Sequence, residues 1–495
     1  MVHMAISQDE AVTNRIRIIF ALLSGLGWAL VFGARSEIIL GDPDIWWHIR
    51  TGQWIWQSGS FPVVDPFSHS FAGKPWIAKE WLSQLMFFGA SALAGWNGVL
   101  LLAMAAVAVG AGLLFMILSK DLSPVPAAIA CLASLLLASS TLVARPHLLT
   151  LGLMVMWTYQ LFRASAEKRV PGYGWLLLMV AWANLHAAFT MGFAIAFFAF
   201  LDFLERSRLS RPEMLWRWIV FLLLCPLVSL LNPYSWEALT PTLTAVTSNE
   251  AIPMIDEWQP FDPPANVPEA VGLLLLLFAT LVSGFRLGLA KALLIVLLLY
   301  LSFNQMRYVY FLFPILAVLV APEIARQFPR LSITAWSSLP HDVIEDGISR
   351  AFRPLLAVII AGLVGMTILQ VTVLRASPPD SVAASAAIAF AKAGNVEGKV
   401  FNFYNFGGPL IFSDIKTFID GRTDQLFLGG FAKTFMRGPD TEAELQRALL
   451  KYDIGWTLFP PHDIRVALLD KLAGWRRIFA DDVAVIHQRL GKPAT

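Results

Sequence analysis

Apolar runs long enough to cross a lipid bilayer dominate this sequence and restrict the folds open to it. A helix needs about 20 mostly apolar residues to span the hydrocarbon core of a membrane. The predicted spans are 18–34, 96–118, 125–142, 148–163, 173–185, 189–204, 215–231, 269–285, 288–303, 308–322 and 354–374. The chain is 57% hydrophobic and 15% charged, against about 25% charged residues in soluble domains. The sequence therefore predicts a polytopic α-helical membrane protein with about eleven transmembrane helices.

The distribution of basic residues predicts the orientation of these spans. The stretch 81–94 is apolar but only about 14 residues long, which favours an interfacial or re-entrant helix. If it is left out and the N-terminus is cytoplasmic, the loops rich in Lys and Arg fall on the inner side, as the positive-inside rule requires. The outer loop 232–268 then contains no Lys or Arg. Residues 1–17 are expected to be a short cytoplasmic lead to a retained first helix.

The residues after the last span are more polar and predict a separate fold. Residues 381–392 and 440–451 are expected to form helices, and 399–403, 417–419, 454–459 and 483–487 short strands. The expected organisation is a transmembrane module over 1–377, whose first outer loop is 41–95, and an extracytoplasmic α/β domain over 378–495.

Two further features of the composition bear on partners. The net charge is +2 and the chain has no basic tract suited to nucleic acid, so no nucleic-acid partner is expected. Cys131 and Cys225 both lie in apolar runs. Buried cysteines of this kind usually behave as small hydrophobic residues, so no disulfide is expected.

An acidic motif follows the first span directly. Asp42 and Asp44 flank Pro43, and His48 lies on the stretch that comes next. Charged side chains at a membrane edge are costly and are usually retained for function. Further polar residues interrupt apolar runs on the same predicted outer side: Lys79, Glu80, Arg145, His147, Asn184, His186, Glu257, Arg307 and Tyr308.

Each of these residues alone has an ordinary structural explanation. Asp42 and Asp44 could form a helix-capping turn, and His147 and His186 could be satisfied interfacial histidines. Arginines could extend their side chains to lipid headgroups, and the tryptophans near the motif could belong to an aromatic belt. The functional hypothesis depends on the expected position of all of them on one side of the membrane.

Together these residue types favour one kind of chemistry. Carboxylates can bind a divalent cation or act as a general base. Lys and Arg can hold a phosphate at headgroup depth, and aromatic rings can stack on sugars. A base, a phosphate clamp and a stacking platform suit the transfer of a sugar from a lipid-phosphate carrier to an acceptor.

The layout and motifs resemble the GT-C superfamily of integral-membrane glycosyltransferases, which use polyprenyl-phosphate-linked sugars. The resemblance covers nearly the whole chain, and Asp42-Pro43-Asp44 is its most specific part, similar to the acidic signature of the family. Further strings resemble a largely uncharacterised bacterial branch, among them 145–147, 184–186, 232–234, 405–408 and 419–424. The Trp46-Trp47-His48 string beside the acidic pair departs from better-known members.

The resemblance implies a glycosyltransferase of the bacterial inner membrane, with its C-terminal domain in the periplasm. Its donor would be a polyprenyl-phosphate-linked sugar, its acceptor a glycan, lipid or protein, and its surroundings membrane lipids. Asp44 would be the general base of an inverting transfer, with Asp42 as the alternate or as a metal or acceptor ligand. Asp42 and Asp44 would also be the ligands of a divalent cation, Mg²⁺ or Mn²⁺, if one is bound. The donor phosphate would be held by Lys79, Arg145 and Arg307, and the cavity or acceptor site would include His48, Glu80, His147, Asn184, His186, Glu257, Tyr308, Asp420 and Arg422.

Three alternatives remain open at this point. A transporter or flippase of a lipid-linked or anionic substrate would also collect ionisable groups, although near the bilayer midplane and often with internal repeats. A non-catalytic partner in glycan assembly would have acidic side chains that point away from the cavity. A ligase that joins lipid-linked glycans would need a cavity with two openings toward lipid. Residues 420–424 could likewise be a plain strand and turn, or reach over the outer cavity.

Overall fold

The computed structural model describes residues 2–208, 211–240, 255, 258–337, 352–373 and 376–491. Its helices in the first half are α1 (Val2–Gly33), α2 (Ser36–Ile39), α3 (Asp44–Ser58), α4 (Trp81–Leu118), α5 (Pro124–Leu137), α6 (Leu151–Ala166), α7 (Leu176–Leu185), α8 (Phe189–Ser207) and α9 (Pro212–Ser229). These are followed by α10 (Val267–Ser283), α11 (Leu289–Asn304), α12 (Val309–Gln327), α13 (Ile333–Ser337) and α14 (Phe352–Thr372). Each of the eleven predicted apolar runs overlaps one of these helices.

Within the described ranges, four helices are long and apolar enough to cross a membrane: Asn14–Gly33, Trp81–Leu118, Pro212–Ser229 and Met306–Gln327. Shorter apolar helices of the same part of the chain are Pro124–Leu137, Tyr173–Leu185, Val267–Ser283, Leu289–Asn304 and Pro354–Leu369. Length and composition therefore support a membrane-embedded bundle, while eleven crossings stay a prediction.

Helix α4 is broken near its start. Ala94 and Gly95 have non-helical dihedral angles, and the φ of Gly95 is +58°. The break separates residues 81–93 from the long apolar segment that follows, at the position where the sequence predicted a short interfacial helix to end. The short segment can thus take a different direction from the span, as glycine permits at such a position.

The helical core is large and aromatic. Trp157, Trp182, Trp218, Phe115 and Phe203 are all fully or almost fully buried in one cluster. Burial of an aromatic side chain removes about 150–250 Å² of surface from water, so these residues dominate the packing of the bundle. Outward positions of α10 are by contrast apolar and exposed, as expected for a helix face that meets lipid.

The C-terminal part contains a four-stranded sheet with the order β1-β2-β4-β3. The strands are β1 (Lys399–Asn402), β2 (Ile454–Phe459), β3 (Trp475–Ala480) and β4 (Val485–Arg489). β1 and β2 are parallel, and β4 is antiparallel to both of its neighbours. The helices of this part are α15 (Asp380–Ala383), α16 (Ser385–Phe390), α17 (Gly407–Phe412), α18 (Phe431–Phe435), α19 (Glu442–Lys451) and α20 (Ile464–Leu469).

Two local predictions for this part need correction. Residues 417–419 do not form a strand of the sheet: Thr417 makes a single bridge with Ser68 of the first outer loop. The predicted helix over 381–392 is divided into α15 and α16, because Ala384 adopts a left-handed conformation with φ of +45°. The strand β3 was not predicted.

The first outer loop and the C-terminal part share one hydrophobic core. Trp47, Phe67 and Trp76 from the loop pack in the same cluster as Phe401 and Phe418. The loop is therefore held between the helical bundle and the sheet, and this arrangement positions the polar residues at its two ends.

Candidate functional site

The acidic motif is held together by one arginine. Arg145 precedes a short 3-10 turn (Pro146–Thr150). Its Nε lies 2.5 Å from Oδ2 of Asp42, and its Nη2 lies 2.7 Å from Oδ2 of Asp44. A planar guanidinium can serve two carboxylates in a fixed geometry, which a lysine ammonium cannot do as well. Two carboxylates and one guanidinium thus lie together at the start of α3.

The remaining carboxylate oxygens are also positioned. The backbone N–H of Asp44 donates to Oδ1 of Asp42 at 2.8 Å. Nε1 of Trp47 donates to Oδ1 of Asp44 at 3.0 Å. Asp42 thus makes the helix-capping turn that was one of the alternatives predicted from the sequence, while Asp44 accepts from the indole of Trp47; Arg145 contacts both. The two acids therefore have different surroundings although they are only two residues apart.

The C-terminal part closes directly on this motif. A Cβ at Gly421 would lie 1.8 Å from Oδ1 of Asp44, and one at Gly408 would lie 2.0 Å from the carbonyl oxygen of Pro43. Contacts at these distances admit only glycine, because any side chain would overlap the acidic motif. Next to this contact, Gln425 exchanges two hydrogen bonds of 3.1 Å with the backbone of Ile77.

A second acidic group lies between two imidazoles. Glu80 is 9% exposed. Its Oε1 lies 3.4 Å from Nε2 of His186, and its Oε2 lies 3.9 Å from Nε2 of His48. Nδ1 of His186 accepts from the Ala188 N–H at 3.3 Å, and Nδ1 of His48 accepts from Gln84 at 3.3 Å. In the neutral tautomers these bonds imply, both Nε2 atoms carry a proton that faces the carboxyl group.

Burial governs the protonation of this trio. It raises the pKa of Glu80 from 4.5 to about 7, with Lys79 acting in the opposite direction. Burial also lowers the pKa of His48 and of His186 well below their usual value, and the charges of Arg145 and of His147 add to the respective effects. Glu80 is therefore the member of the trio that titrates near neutral pH.

Lys79 and Arg307, two of the cations predicted to bind phosphate, have different partners. Lys79 forms an ion pair with Asp424 of the C-terminal part. The Arg307 guanidinium lies 4.4 Å from the centre of the Trp258 ring, a cation–π contact. Among the described residues, no carboxylate pairs with Arg307. The Arg307 guanidinium therefore faces the Glu80 side of the cavity, where its charge lowers the pKa of Glu80.

These groups surround one cavity of about 450 Å³ between the helices and the C-terminal part. Its size is in the range of small-molecule binding sites. The predicted site residues in its wall are Asp42, Asp44, His48, Lys79, Glu80, Arg145, His147, His186, Arg307 and Tyr308. We call this space the Glu80 cavity.

Three predicted residues do not belong to this wall. Asp420 and Arg422 are 0% exposed, where Arg422 contacts Asp420 at 2.7 Å and Asp65 at 2.5 Å. Asn184 donates to the carbonyl oxygens of Val180 and Leu231 and accepts from Trp81, so it braces helices. The expectation that these side chains face the cavity needs correction, since each satisfies a buried network elsewhere. Glu257 lies outside the described residues.

Sequence reasoning missed several wall residues. Tyr404 and Gln425 of the C-terminal part and Tyr310 of α12 all line the Glu80 cavity. The segment 420–424 reaches the cavity, as one of the two alternatives predicted, but with other side chains: Gly421, Thr423 and Asp424 line it, whereas Asp420 and Arg422 are buried elsewhere. The string 419–424 drew attention to this segment. The sequence did not show which of its side chains face the cavity, because that depends on which face of the segment is buried.

The acidic and imidazole side chains of the site do not form a ligand cluster for a metal ion. Within the described ranges, no group of three or more His, Cys, Asp and Glu side chains is arranged to hold a metal ion. Both acids of the motif are engaged by Arg145 instead. A divalent cation at Asp42 and Asp44 stays a prediction from the sequence, and no step below depends on it.

Comparison with known proteins concerns the fold. No family model matches the chain, and no curated protein matches it in sequence. A structure of ArnT from Cupriavidus metallidurans in the apo state aligns with a TM-score of 0.50 at 16% identity, over 94% of this chain and 96% of that one. A structure of the same protein bound to undecaprenyl phosphate aligns with a TM-score of 0.51 at 16% identity, over 94% and 97%.

The chain shares its overall fold with ArnT. The alignment extends over nearly the whole of both chains, so the C-terminal part belongs to the shared architecture. The resemblance that the acidic motif and the layout predicted is confirmed at the level of the fold. This fold brings ten predicted polar residues from distant parts of the sequence to one cavity.

Proposed function

We propose that this protein transfers a glycosyl group from a polyprenyl-phosphate carrier to an acceptor at the outer face of a bacterial cytoplasmic membrane. The observation that carries the proposal is the Glu80 cavity, where an acidic pair, three cations and three imidazoles converge in a GT-C fold. The ArnT structure with undecaprenyl phosphate supports a donor of this chemical class.

The proposed reaction is a single displacement. The acceptor nucleophile attacks the anomeric carbon, the bond from that carbon to the phosphate oxygen breaks, and the carrier phosphate leaves with the electron pair. The proton of the acceptor passes to a carboxylate. We assign this role to Asp44, because Trp47 and Arg145 hold its two oxygens in place at the cavity wall. Such direct displacement would invert the anomeric configuration.

The cations have separate roles in this proposal. Arg307 would receive the carrier phosphate, since it lines the cavity beside Trp258 and no ion pair with a described carboxylate holds it. Lys79 would contribute after exchange of its pairing with Asp424. Arg145 would orient the acidic pair and reach the phosphate from the motif. Fixed charges of this kind stabilise the phosphate as its negative charge develops.

The C-terminal part would provide the acceptor side of the cavity. Tyr404, Thr423 and Asp424 offer hydroxyl and carboxylate groups that can bond to a sugar or another polar acceptor. Their position in the same cavity wall as Arg145, His147 and Tyr310 is the support for this placement. A transporter would instead be expected to collect its ionisable groups near the bilayer midplane.

The test separates binding from turnover. The full-length protein in detergent micelles is titrated with undecaprenyl phosphate, and its variants Arg307→Ala and Asp44→Asn are compared. We expect Arg307→Ala to weaken binding about tenfold or more, as for loss of a charged contact. Asp44→Asn should bind the carrier as the parent does but release no glycosyl product from a glycosylated carrier. Equal turnover in Asp44→Asn, or no binding of the carrier by the parent, would refute the proposal.

A further inference from the structure

A second cavity, of about 400 Å³, lies at the far ends of the same helices. Helix α12 starts beside the Glu80 cavity, whereas Glu323 and Arg326 near its end line the second one. Sixteen helical residues separate Arg307 from Glu323, or about 24 Å along a helix axis. We call this space the Glu323 cavity. It is distinct from the site of the proposed transfer.

Positive charge predominates in the wall of the Glu323 cavity. Five cationic side chains line it against three carboxylates. The cations are Lys120, Arg163, Arg206, Lys291 and Arg326, and the carboxylates are Asp121, Glu167 and Glu323. The chain as a whole has a net charge of only +2, so this excess is a local feature. Such an excess in a recess attracts anions.

The buried part of this wall is fixed by a shared carboxylate. Glu323 contacts Nζ of Lys291 at 3.1 Å and Nη2 of Arg206 at 3.1 Å, and it also pairs with Arg326. Behind the wall, the buried Asp202 pairs with Nε of Arg206 at 2.8 Å, so the cations still exceed the carboxylates by one. Lys291 is only 3% exposed, and its Nζ donates to the Leu319 carbonyl oxygen at 3.1 Å. The positive-inside rule accounts for exposed basic loops but not for a buried lysine shared in a network.

The outer part of the wall presents two more cations around a neutral oxygen. Nζ of Lys120 donates to Oη of Tyr159 at 3.0 Å, and Nη1 of Arg163 donates to the same oxygen at 2.8 Å. The Lys120 and Arg163 side chains are exposed at the mouth of the cavity. Nε of Arg163 also pairs with Glu167 at 2.7 Å. The remaining N–H groups of the Arg163 guanidinium and of the Lys120 ammonium can donate to an anionic oxygen between them.

We propose that the Glu323 cavity binds a phosphate group, carried by an anionic phospholipid headgroup or present as soluble phosphate. Arginine and lysine donors that converge at these distances match the several acceptor oxygens of a phosphate. The site lies at the ends of apolar helices, on the side where the basic loops predict the cytoplasmic leaflet. Anionic headgroups are concentrated near such a surface.

The experiment uses the full-length protein in detergent micelles and a matched pair of double variants. Lys120→Ala/Arg163→Ala removes two wall cations. Arg211→Ala/Arg330→Ala removes two exposed cations that do not line the cavity, so both double variants lose the same net charge. Native mass spectrometry measures retention of short-chain phosphatidylglycerol, with phosphatidylcholine as the zwitterionic comparison. A second arm titrates inorganic phosphate by calorimetry.

We expect saturable binding in at least one arm, weakened about tenfold or more in Lys120→Ala/Arg163→Ala and unchanged in the control. Binding of phosphatidylglycerol without binding of inorganic phosphate would identify the lipid as the source, and the reverse result would identify the soluble anion. Because the two wall side chains are exposed, an unchanged melting temperature should accompany the loss. Equal losses in both double variants, or no binding in either arm, would overturn the proposal.

Discussion

Gly421 of the C-terminal part lies directly against the carboxylate of Asp44, so that a Cβ at position 421 would come within 1.8 Å of Oδ1. This contact joins residues that are far apart in the sequence and makes the C-terminal part a wall of the candidate active site. It also explains why the acidic motif cannot be understood from the helical bundle alone.

Gly421→Ala should displace the Asp44 side chain and reduce transfer. Overpacking of this kind typically costs about 1–3 kcal/mol, and small misplacement of a reacting group can cost about a hundredfold in rate. We expect a fall of at least about tenfold in turnover with binding of undecaprenyl phosphate retained. The control is Gly174→Ala, where a Cβ would meet open space. Full activity in Gly421→Ala would show that Asp44 tolerates displacement and is not the base.

Arg145→Lys should impair turnover although it keeps the charge. A single ammonium cannot hold Asp42 and Asp44 in the geometry that the two guanidinium nitrogens impose. We expect roughly a hundredfold loss of turnover, by analogy with misplaced catalytic groups. The same change at Arg50, which pairs with Asp414 outside the cavity wall, should leave turnover nearly unchanged. Similar effects at both positions would argue against a specific role for the contacts of the Arg145 guanidinium with Asp42 and Asp44.

Glu80 should make stability depend on pH in a defined direction. Because burial raises its pKa from 4.5 in the unfolded reference to about 7 in the folded protein, the protonated form is favoured by folding. Its contribution to stability is present below about pH 4.5 and is lost as pH rises through about 7. A shift of this size corresponds to roughly 3 kcal/mol.

The measurement is the melting temperature of Glu80→Gln and of the parent protein from about pH 5 to about pH 8. The variant should gain stability relative to the parent as pH rises, because it does not have to bury a carboxylate. Glu237→Gln, a change at an exposed side chain, is the control and should show no such trend. A difference between Glu80→Gln and the parent that is independent of pH would contradict the assignment of the pKa.

Arg422 should matter for stability more than for chemistry. Its side chain is fully buried between Asp420 and Asp65, and it also lies 4.9 Å from the centre of the Trp76 ring. Arg422→Met would leave two buried carboxylates without a cation, a change that typically costs about 3–5 kcal/mol. We expect a large fall in melting temperature and faster proteolysis of the first outer loop. Arg447→Met, at an exposed position, should change stability by less than about 0.5 kcal/mol.

Much of the helical architecture could be predicted, because apolar runs of span length have few alternatives in structure. The convergence of Asp44, Arg145 and His186 followed from topology: residues that interrupt apolar runs on the same side of a membrane must meet at one end of the bundle. The sequence could not show that Glu80 lies between His48 and His186, since this depends on the direction that the chain takes around the break at Ala94 and Gly95.

The contribution of the C-terminal part was the least predictable. In an irregular segment such as 420–424, which side chains face a cavity depends on register against the first outer loop, and no periodic pattern encodes that register. Asp420 and Arg422 therefore looked like site residues, while Gly421 and Thr423 did not stand out. Asn184 was misassigned for a related reason, because a polar residue within an apolar run can serve backbone carbonyl groups as well as a ligand.

The most direct test of the central claim is a transfer assay with the purified full-length protein, a glycosylated polyprenyl phosphate and a panel of candidate acceptors, run in parallel with Asp44→Asn. We predict that the parent protein releases free polyprenyl phosphate together with a product of inverted anomeric configuration. The Asp44→Asn variant should give neither product, although its binding of the carrier should be unchanged. Equal release of polyprenyl phosphate by Asp44→Asn would contradict this prediction.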